Sequence, residues 1–399
     1  MSNVTSQMHS NKQEIALSKT TKFVVDNRGR TAPTEKSGIP LIATNCIHNN
    51  NLYPVYENLR YVSQETYDNW FRSHPEPGDL LLTLKGSQNG AVCLVPDSVD
   101  FVIAQDMVAL RVDEKVIDPL FLFAALRSDD VQAQIKNLDV SGVIPHLKKS
   151  DFDKLMLPYP ERDTQRSIGQ IYFYTSKKID LLHRQNQTLE AMAATLFRQW
   201  FVEEAQEDWE IKPLGAFVTV KRGGSPRPIQ EYLSETGLRW LKISDATKTA
   251  SPFIFEIKEH IKEDGLNKTT LLKAGALVLS NSATPGIPKI LQLDSCIHDG
   301  WLHFPKSHFS NEFLYLLFKK IRPELINQGN GSIFTNLKTD ILKEYPIPIA
   351  DDESLRFFDA QVKPIFKKLL NNATQIQTLE KLRDTLLPKL ISGEVRVVA

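Results

Sequence analysis

Cysteine is scarce in this chain: Cys46, Cys93 and Cys296 stand far apart among 399 residues. An odd, scattered set gives neither a disulfide framework nor the paired spacing of a zinc site, and it fits a reducing compartment. Long apolar runs are missing too. No stretch approaches the roughly 18 residues that span a bilayer. The opening residues, Met1 to Ile15, are polar where a signal peptide needs an apolar segment. A cytoplasmic protein is expected, in which Asn-x-Ser/Thr sites such as Asn3 and Asn186 carry no sugar. Net charge is also absent, since 48 Lys and Arg balance 48 Asp and Glu. Residues 1–160 hold 16 basic and 19 acidic residues, and residues 209–350 hold 18 and 14. Neither half has the strongly basic footprint of a protein that grips nucleic acid unaided.

Catalytic signatures are equally sparse. There is no Asn/Asp-Pro-Pro-Tyr/Phe segment for methylating an exocyclic amine, no glycine-rich cofactor loop and no close pairing of the nine histidines. Lys221-Arg222-Gly223-Gly224 lacks the G-x-x-x-x-G-K-[ST] spacing of a phosphate-cradling loop, and reads as a turn with a basic flank. Asp97 with Asp113, Glu114 and Lys115 superficially fits a metal-dependent nuclease set, but the second half of the chain has no counterpart. No cofactor, metal or catalytic residue is expected.

What is present is a repeat. Residues 177–196 and 367–386 share nine of 20 positions at a constant offset, including Gln187-Thr188-Leu189-Glu190 against Gln377-Thr378-Leu379-Glu380. Upstream the match continues at drifting offsets. Gly38–Ile42 parallels Gly237–Leu241, Gln105-Asp106 parallels His298-Asp299, and Ser141–Ile144 parallels Asn330–Ile333. Both copies then meet proline, in LPYP at 157–160 and PIPI at 346–349. The unit, used twice, is a globular domain, a proline punctuation and a long helix.

The helices are legible from their spacing. Ile168, Thr175, Leu182, Leu189 and Leu196 fall seven apart, with Ile171, Ile179, Met192 and Trp200 beside them; Leu355, Val362, Leu369 and Ile376 repeat the column. A seven-residue stripe is buried against a partner helix, and about 40 residues of helix span roughly 60 Å. Pro364 predicts a kink or a late start in the second. Strands are expected at Leu80–Leu84 and Ala276–Ser280, and short helices at Pro119–Arg127 and Asn311–Ile321. The predicted fold is therefore α+β: two mixed α/β domains separated by two long antiparallel coiled-coil helices, with an internal pseudo-two-fold repeat. The boundaries are an N-terminal segment at 1–20, domains at 21–160 and 207–350, helices at 161–206 and 351–399.

At this point the chain resembles the specificity subunits of type I restriction-modification systems. Val220-Lys221-Arg222-Gly223-Gly224-Ser225-Pro226, then Leu238-Arg239-Trp240-Leu241-Lys242-Ile243-Ser244-Asp245, is similar to that family's Gly-x-Thr/Ser-Pro opening and Ile-Pro-Trp-Ile…Asp segment. Gly29–Pro33 keeps a weaker version. Leu147 to Phe152 and Leu337 to Ile341 resemble the family's domain ending, and Leu386-Leu387-Pro388-Lys389-Leu390-Ile391-Ser392-Gly393-Glu394 its terminal signature. Glu161-Arg162-Asp163-Thr164-Gln165 matches the family's acidic-then-Gln helix start, whereas Asp351-Asp352-Glu353-Ser354 lacks the Gln. The resemblance implies a non-catalytic subunit that reads a bipartite, asymmetric target in double-stranded DNA. Its implied partners are two methyltransferase subunits and, through the complex, restriction/translocase subunits. The alternative is a self-contained metal-dependent DNA endonuclease built on Asp97 to Lys115.

Base-reading candidates lie in turns, where Asn and Gln can pair with adenine and Lys or Arg with guanine or phosphate. In the first domain they are Asn45, Asn49, Tyr53, Lys85, Gln88, Asn89, His146 and Lys148. In the second they are Lys221, Arg222, Lys242, Ser244, Asn281, Ser282, Asn330, Thr335 and Asn336. Turns also favour such residues for local reasons. Phe197, Trp200 and Phe201, at a helix end, are the expected anchors for the methyltransferase subunits.

Overall fold

A computed structural model describes residues 13–27, 29–138, 144–205, 209–327 and 337–397. Contacts divide the chain into two units, Met1–Leu182 with Ile376–Ala399, and His183–Gln375. Each long helix therefore gives one part of its length to each unit.

In the first unit, strands Thr21–Asp26, Met107–Val112, Leu80–Thr83 and Val92–Leu94 form an antiparallel sheet in that order. A second sheet joins Arg60–Val62, Ile39–Ile42 and Val102–Ile103, the last pair parallel. The unbroken apolar run Leu80 to Leu82 is explained by cover on both faces, because successive strand residues point oppositely. Leu80, Leu82, Val108 and Leu110 meet Phe121 and Phe123, while Leu81, Cys93 and Ala109 meet Ile42, Phe101 and Ile103. The helix Pro119–Leu126 starts with proline in its first turn, and the Asp118 carboxylate accepts from the Leu120 and Phe121 N–H groups at 3.0 Å. Buried Gln165 holds the start of the central helix in place: its carbonyl accepts from the Asp118 N–H and its amide donates to Pro160 O.

The second unit repeats this wiring. Val218–Arg222, Trp301–Ser307, Leu277–Ser280 and Pro288–Leu291 take the four places of the first sheet. His260–Ile261, Leu238–Leu241 and Ser295–Ile297 take the three of the second. A short pair closes each unit, Glu14–Ala16 with Met156–Pro158 and Ile211–Pro213 with Pro346–Pro348. The first of these pairs moves the N-terminal boundary: the domain begins by residue 14 and not at 21, with Leu17 fully buried.

The central helix is Arg162–Arg198, followed by a wider π turn at Gln199–Glu203. The C-terminal helix, Asp352–Ser392, begins well before Pro364 and continues through it, so Pro364 does not mark a late start. Pro364 is on the exposed side, where water can satisfy the carbonyl that its missing N–H leaves unpaired. Within the first unit Ile179 and Leu182 pack on Ile376, and the Arg383 guanidinium sits 5.7 Å over the Tyr172 ring. Within the second, Asn372 bonds Gln185 and Asn186, and Phe358 meets Phe197. In each unit one number rises as its partner's falls, so the helix segments pair antiparallel. Met192 is exposed and lies off the seam it was expected to flank, whereas Ile171, also partly exposed, borders a small recess with Leu382 and Leu386 of the C-terminal helix.

Candidate nucleic-acid interface

A common backbone frame underlies one loop region in each unit. The Thr83 hydroxyl accepts from the Ala91 N–H and donates to Gln88 O; the Ser280 hydroxyl accepts from the Ile287 N–H and donates to Thr284 O. One residue on, Leu84 N–H donates to Asp106 O and Leu84 O accepts from Leu147 N–H. Asn281 does the same with Gly300 O and Leu337 N–H. Gln105 donates to the Thr31 hydroxyl at 3.3 Å, and Ser225 donates to the Asp299 carboxylate at 2.7 Å.

These bonds correct the sequence register. Ile103 pairs with Ile42 as Ile297 pairs with Leu241, and Met107 pairs with Thr83 as Trp301 pairs with Ser280. Gln105 is therefore the counterpart of Asp299, and the counterpart of His298 is Ala104. The dipeptide match Gln105-Asp106 with His298-Asp299 was displaced by one residue.

In the first unit this region forms a recess of about 440 Å³, lined among others by Arg72, Lys85, Gln105, His146, Lys148 and Lys149. Lys85 and His146 face one another as bridged backbone partners, so three of the expected residues, Lys85, His146 and Lys148, come together. Arg72 and Lys149 were missed, and Lys149 is tied to Asp26 by an ion pair. The other candidates have local duties. Asn49 accepts from the Val92 N–H at 2.8 Å, Asn89 from the Leu147 N–H at 3.2 Å, and Asn45 donates to Glu57 O at 2.9 Å. Tyr53 is half-buried against the core, and the Gln88 carbonyl closes the loop.

The second unit has a larger recess of about 910 Å³, with Trp240, Ile229, Arg227, Lys242, Ser244 and His298 in its lining. Lys242 and Ser244 were expected there; Arg227 and His298 were not among the base-reading candidates. The dipeptide match of Gln105-Asp106 with His298-Asp299 was the sequence signal that could have pointed to His298. Lys242 pairs with Glu259. Arg222 donates to Asp299 O at 2.9 Å, and the Gly223 and Gly224 N–H groups donate to Trp301 O and Ile297 O. Those amides are occupied, so this turn is a structural link. Lys221 is exposed in the strand beside His303. The Ser225 hydroxyl holds the Asp299 carboxyl below the usual carboxylate range, and burial pushes the His298 imidazole down. Asn281 is fully buried, with neither amide atom hydrogen-bonded. Ser282 follows it at the loop. Asn330, Thr335 and Asn336 lie outside the described residues, as do Ser141 to Val143.

The helix-end aromatics are not exposed anchors. Phe197 and Phe201 are buried in the core of their own unit, with ring centroids 5.2 and 5.0 Å from Phe313, and Phe201 lies 4.8 Å from Phe358. Trp200 is half-buried and stacks on Phe357 at 5.9 Å. The sequence could not show this, because Phe313 and Phe358 arrive from more than a hundred residues away. Near the nuclease-like set, Asp113 accepts from the Lys115 N–H, a local turn. Among the described residues no three His, Cys, Asp or Glu side chains gather as a metal-binding group, and no helix is long and apolar enough to cross a membrane.

Two units on one frame, each with a recess that carries Lys and Arg side chains in its lining, define a duplicated recognition protein. Residues 19–191 and 206–383 each match the type I restriction modification DNA specificity domain, and the chain belongs to that family. It is 24% identical over 300 residues to the type I restriction enzyme MjaIX specificity subunit of Methanocaldococcus jannaschii, covering 69% of each chain. It is 23% identical over 408 residues to the HindI specificity subunit of Haemophilus influenzae, covering 80% of this chain and 86% of that one. The fold is that of the type I S subunit from M. genitalium, with a TM-score of 0.62 at 16% identity, over 96% of this chain and 97% of the other.

Proposed function

We propose that this chain is the non-catalytic DNA-reading subunit of its restriction-modification complex, that it reads a bipartite, asymmetric target, and that it gathers two methyltransferase subunits and, through them, restriction subunits. The supporting observation is one backbone frame used twice with different side chains on it: Lys85 where the second unit has Ser282, Leu84 where it has Asn281, and Ala104 where it has His298. Phosphate contacts position a protein on DNA and base-edge contacts specify the sequence. A shared frame with changed side chains thus suits two different half-sites. The test is to replace residues 25–155 with the first domain of another family member and map the adenines methylated by the complex. One half-site should change and the other stay. A change in both halves would contradict independent reading.

A further inference from the structure

The second recess contains a side chain whose first-unit counterpart, Ala104, has no polar group. The His298 Nδ1 accepts from the Gly300 N–H at 2.8 Å. A ring nitrogen that accepts carries a lone pair, so the neutral ring has its proton on Nε2. Among the described residues that nitrogen has no hydrogen-bond partner, and the side chain lines the recess. The ring is held on two sides, with centroids 5.9 Å from Trp240 and 6.4 Å from Trp301. Room for it depends on Gly300, where a Cβ would fall 2.3 Å from the His298 Cε1. The first unit has Asp106 at that place, beside the smaller Ala104. Arg227 and Lys242 line the same recess, each paired with a carboxylate, Asp299 and Glu259.

Resting on the DNA-reading function proposed above, we infer that His298 is a specificity-determining residue of the second half-site, a fixed Nε2–H donor that reads the N7 edge of a purine in the major groove. Guanine and adenine both present an N7 acceptor there, whereas cytosine presents an N4 donor and thymine fills that edge of the groove with its C5 methyl group, leaving only O4 further in. The frame fixes the direction of the donor, and its neutral state makes it a hydrogen bond and not a phosphate-seeking charge. Burial of the imidazole, which disfavours protonation, supports this.

The experiment uses the full chain assembled with its own methyltransferase subunit and a library of duplexes randomised through both half-sites. Wild type should require a purine at one base pair of the second half-site. His298→Asn keeps an acceptor where Nδ1 serves Gly300 but withdraws the Nε2 donor. It should lower that purine preference about tenfold, in the range of one lost base contact, and leave the first half-site unchanged. His298→Gln places an amide N–H near the Nε2 position and should retain the preference, so that general misfolding, which would weaken both variants on every sequence, is separated from loss of the donor. The inference is overturned if His298→Asn keeps the purine preference, or if both variants lose binding equally across all sequences. A wild-type complex that selects no motif at all would overturn the DNA-reading function together with this inference.

Discussion

At position 169 an added methyl group would fall 2.5 Å from the Phe121 backbone nitrogen and 2.8 Å from the Leu120 carbonyl carbon. On a free helix, Gly to Ala would gain about 1 kcal/mol. Here the two backbones must separate, so Gly169→Ala should destabilise the first unit by about 1–3 kcal/mol, read as a lower urea midpoint. Phe201→Ala, in the aromatic cluster with Phe313 and Phe358, should cost the second unit about 3–5 kcal/mol. The same substitution on an exposed interface anchor would leave the melting temperature nearly unchanged. Burial, the leading cause in each case, holds His298, His303 and His74 below the ordinary histidine value of about 6.5. Their lowered folded values mean that, as pH falls from 7 through about 6.5, the unfolded chain takes up protons that the folded chain does not. Stability should therefore decline on acidification and be restored toward neutrality. Urea midpoints at pH 7.5 and 5.5 give the check, and a flat or rising midpoint on acidification would contradict it.

Within the second unit's helix pair, Asn372 is 1% exposed and donates at 2.9 Å to both Gln185 and Asn186. A polar side chain in a coiled-coil seam fixes register at some cost in stability. Asn372→Leu should melt no lower than wild type, because Gln185 is exposed and Asn186 half-buried, and water can take their freed groups. A fall of several degrees would show that the amide stabilises the pair outright. The helix face away from the seam carries its own message. In the first unit Tyr174 is 61% and Leu181 51% exposed, seven residues apart on one side of the central helix. With Phe197 and Phe201 inside the core, this stripe is the better candidate for a methyltransferase contact. Tyr174→Glu with Leu181→Glu should abolish co-purification with that subunit while the circular dichroism spectrum stays that of wild type. Retained co-purification would place the contact elsewhere.

For the molecule as a whole the decisive quantity is charge. Lys and Arg on phosphates supply most of the sequence-independent affinity for DNA and set its salt dependence. With 48 basic against 48 acidic residues, and with Lys149, Lys242 and Arg227 already paired to Asp26, Glu259 and Asp299, little positive charge remains for that role. The isolated chain should bind its target weakly with a shallow dependence on salt. Addition of the methyltransferase subunits should tighten binding and steepen the slope. Equal slopes and affinities with and without them would assign the phosphate contacts to this chain alone.

The sequence by itself determined whatever rests on short-range pattern. The duplicated block at 177 and 367, the seven-residue columns and the apolar runs from Leu80 and Leu277 are properties of neighbouring residues, and they fixed the two-domain, two-helix organisation and the family. Two strand positions and two helix positions were legible for the same reason. Tertiary structure decided what distant segments bring together. Lys85 meets His146 because an isolated backbone bridge joins two loop positions 61 residues apart in the chain, and Asn49 and Asn89 became loop fasteners because nearby N–H groups needed acceptors. His298 stands opposite Ala104, and not Gln105, because backbone pairing at Ile297 and Trp301 sets the register. Composition carries no trace of that register, since it is held by main-chain hydrogen bonds that every residue except proline can make.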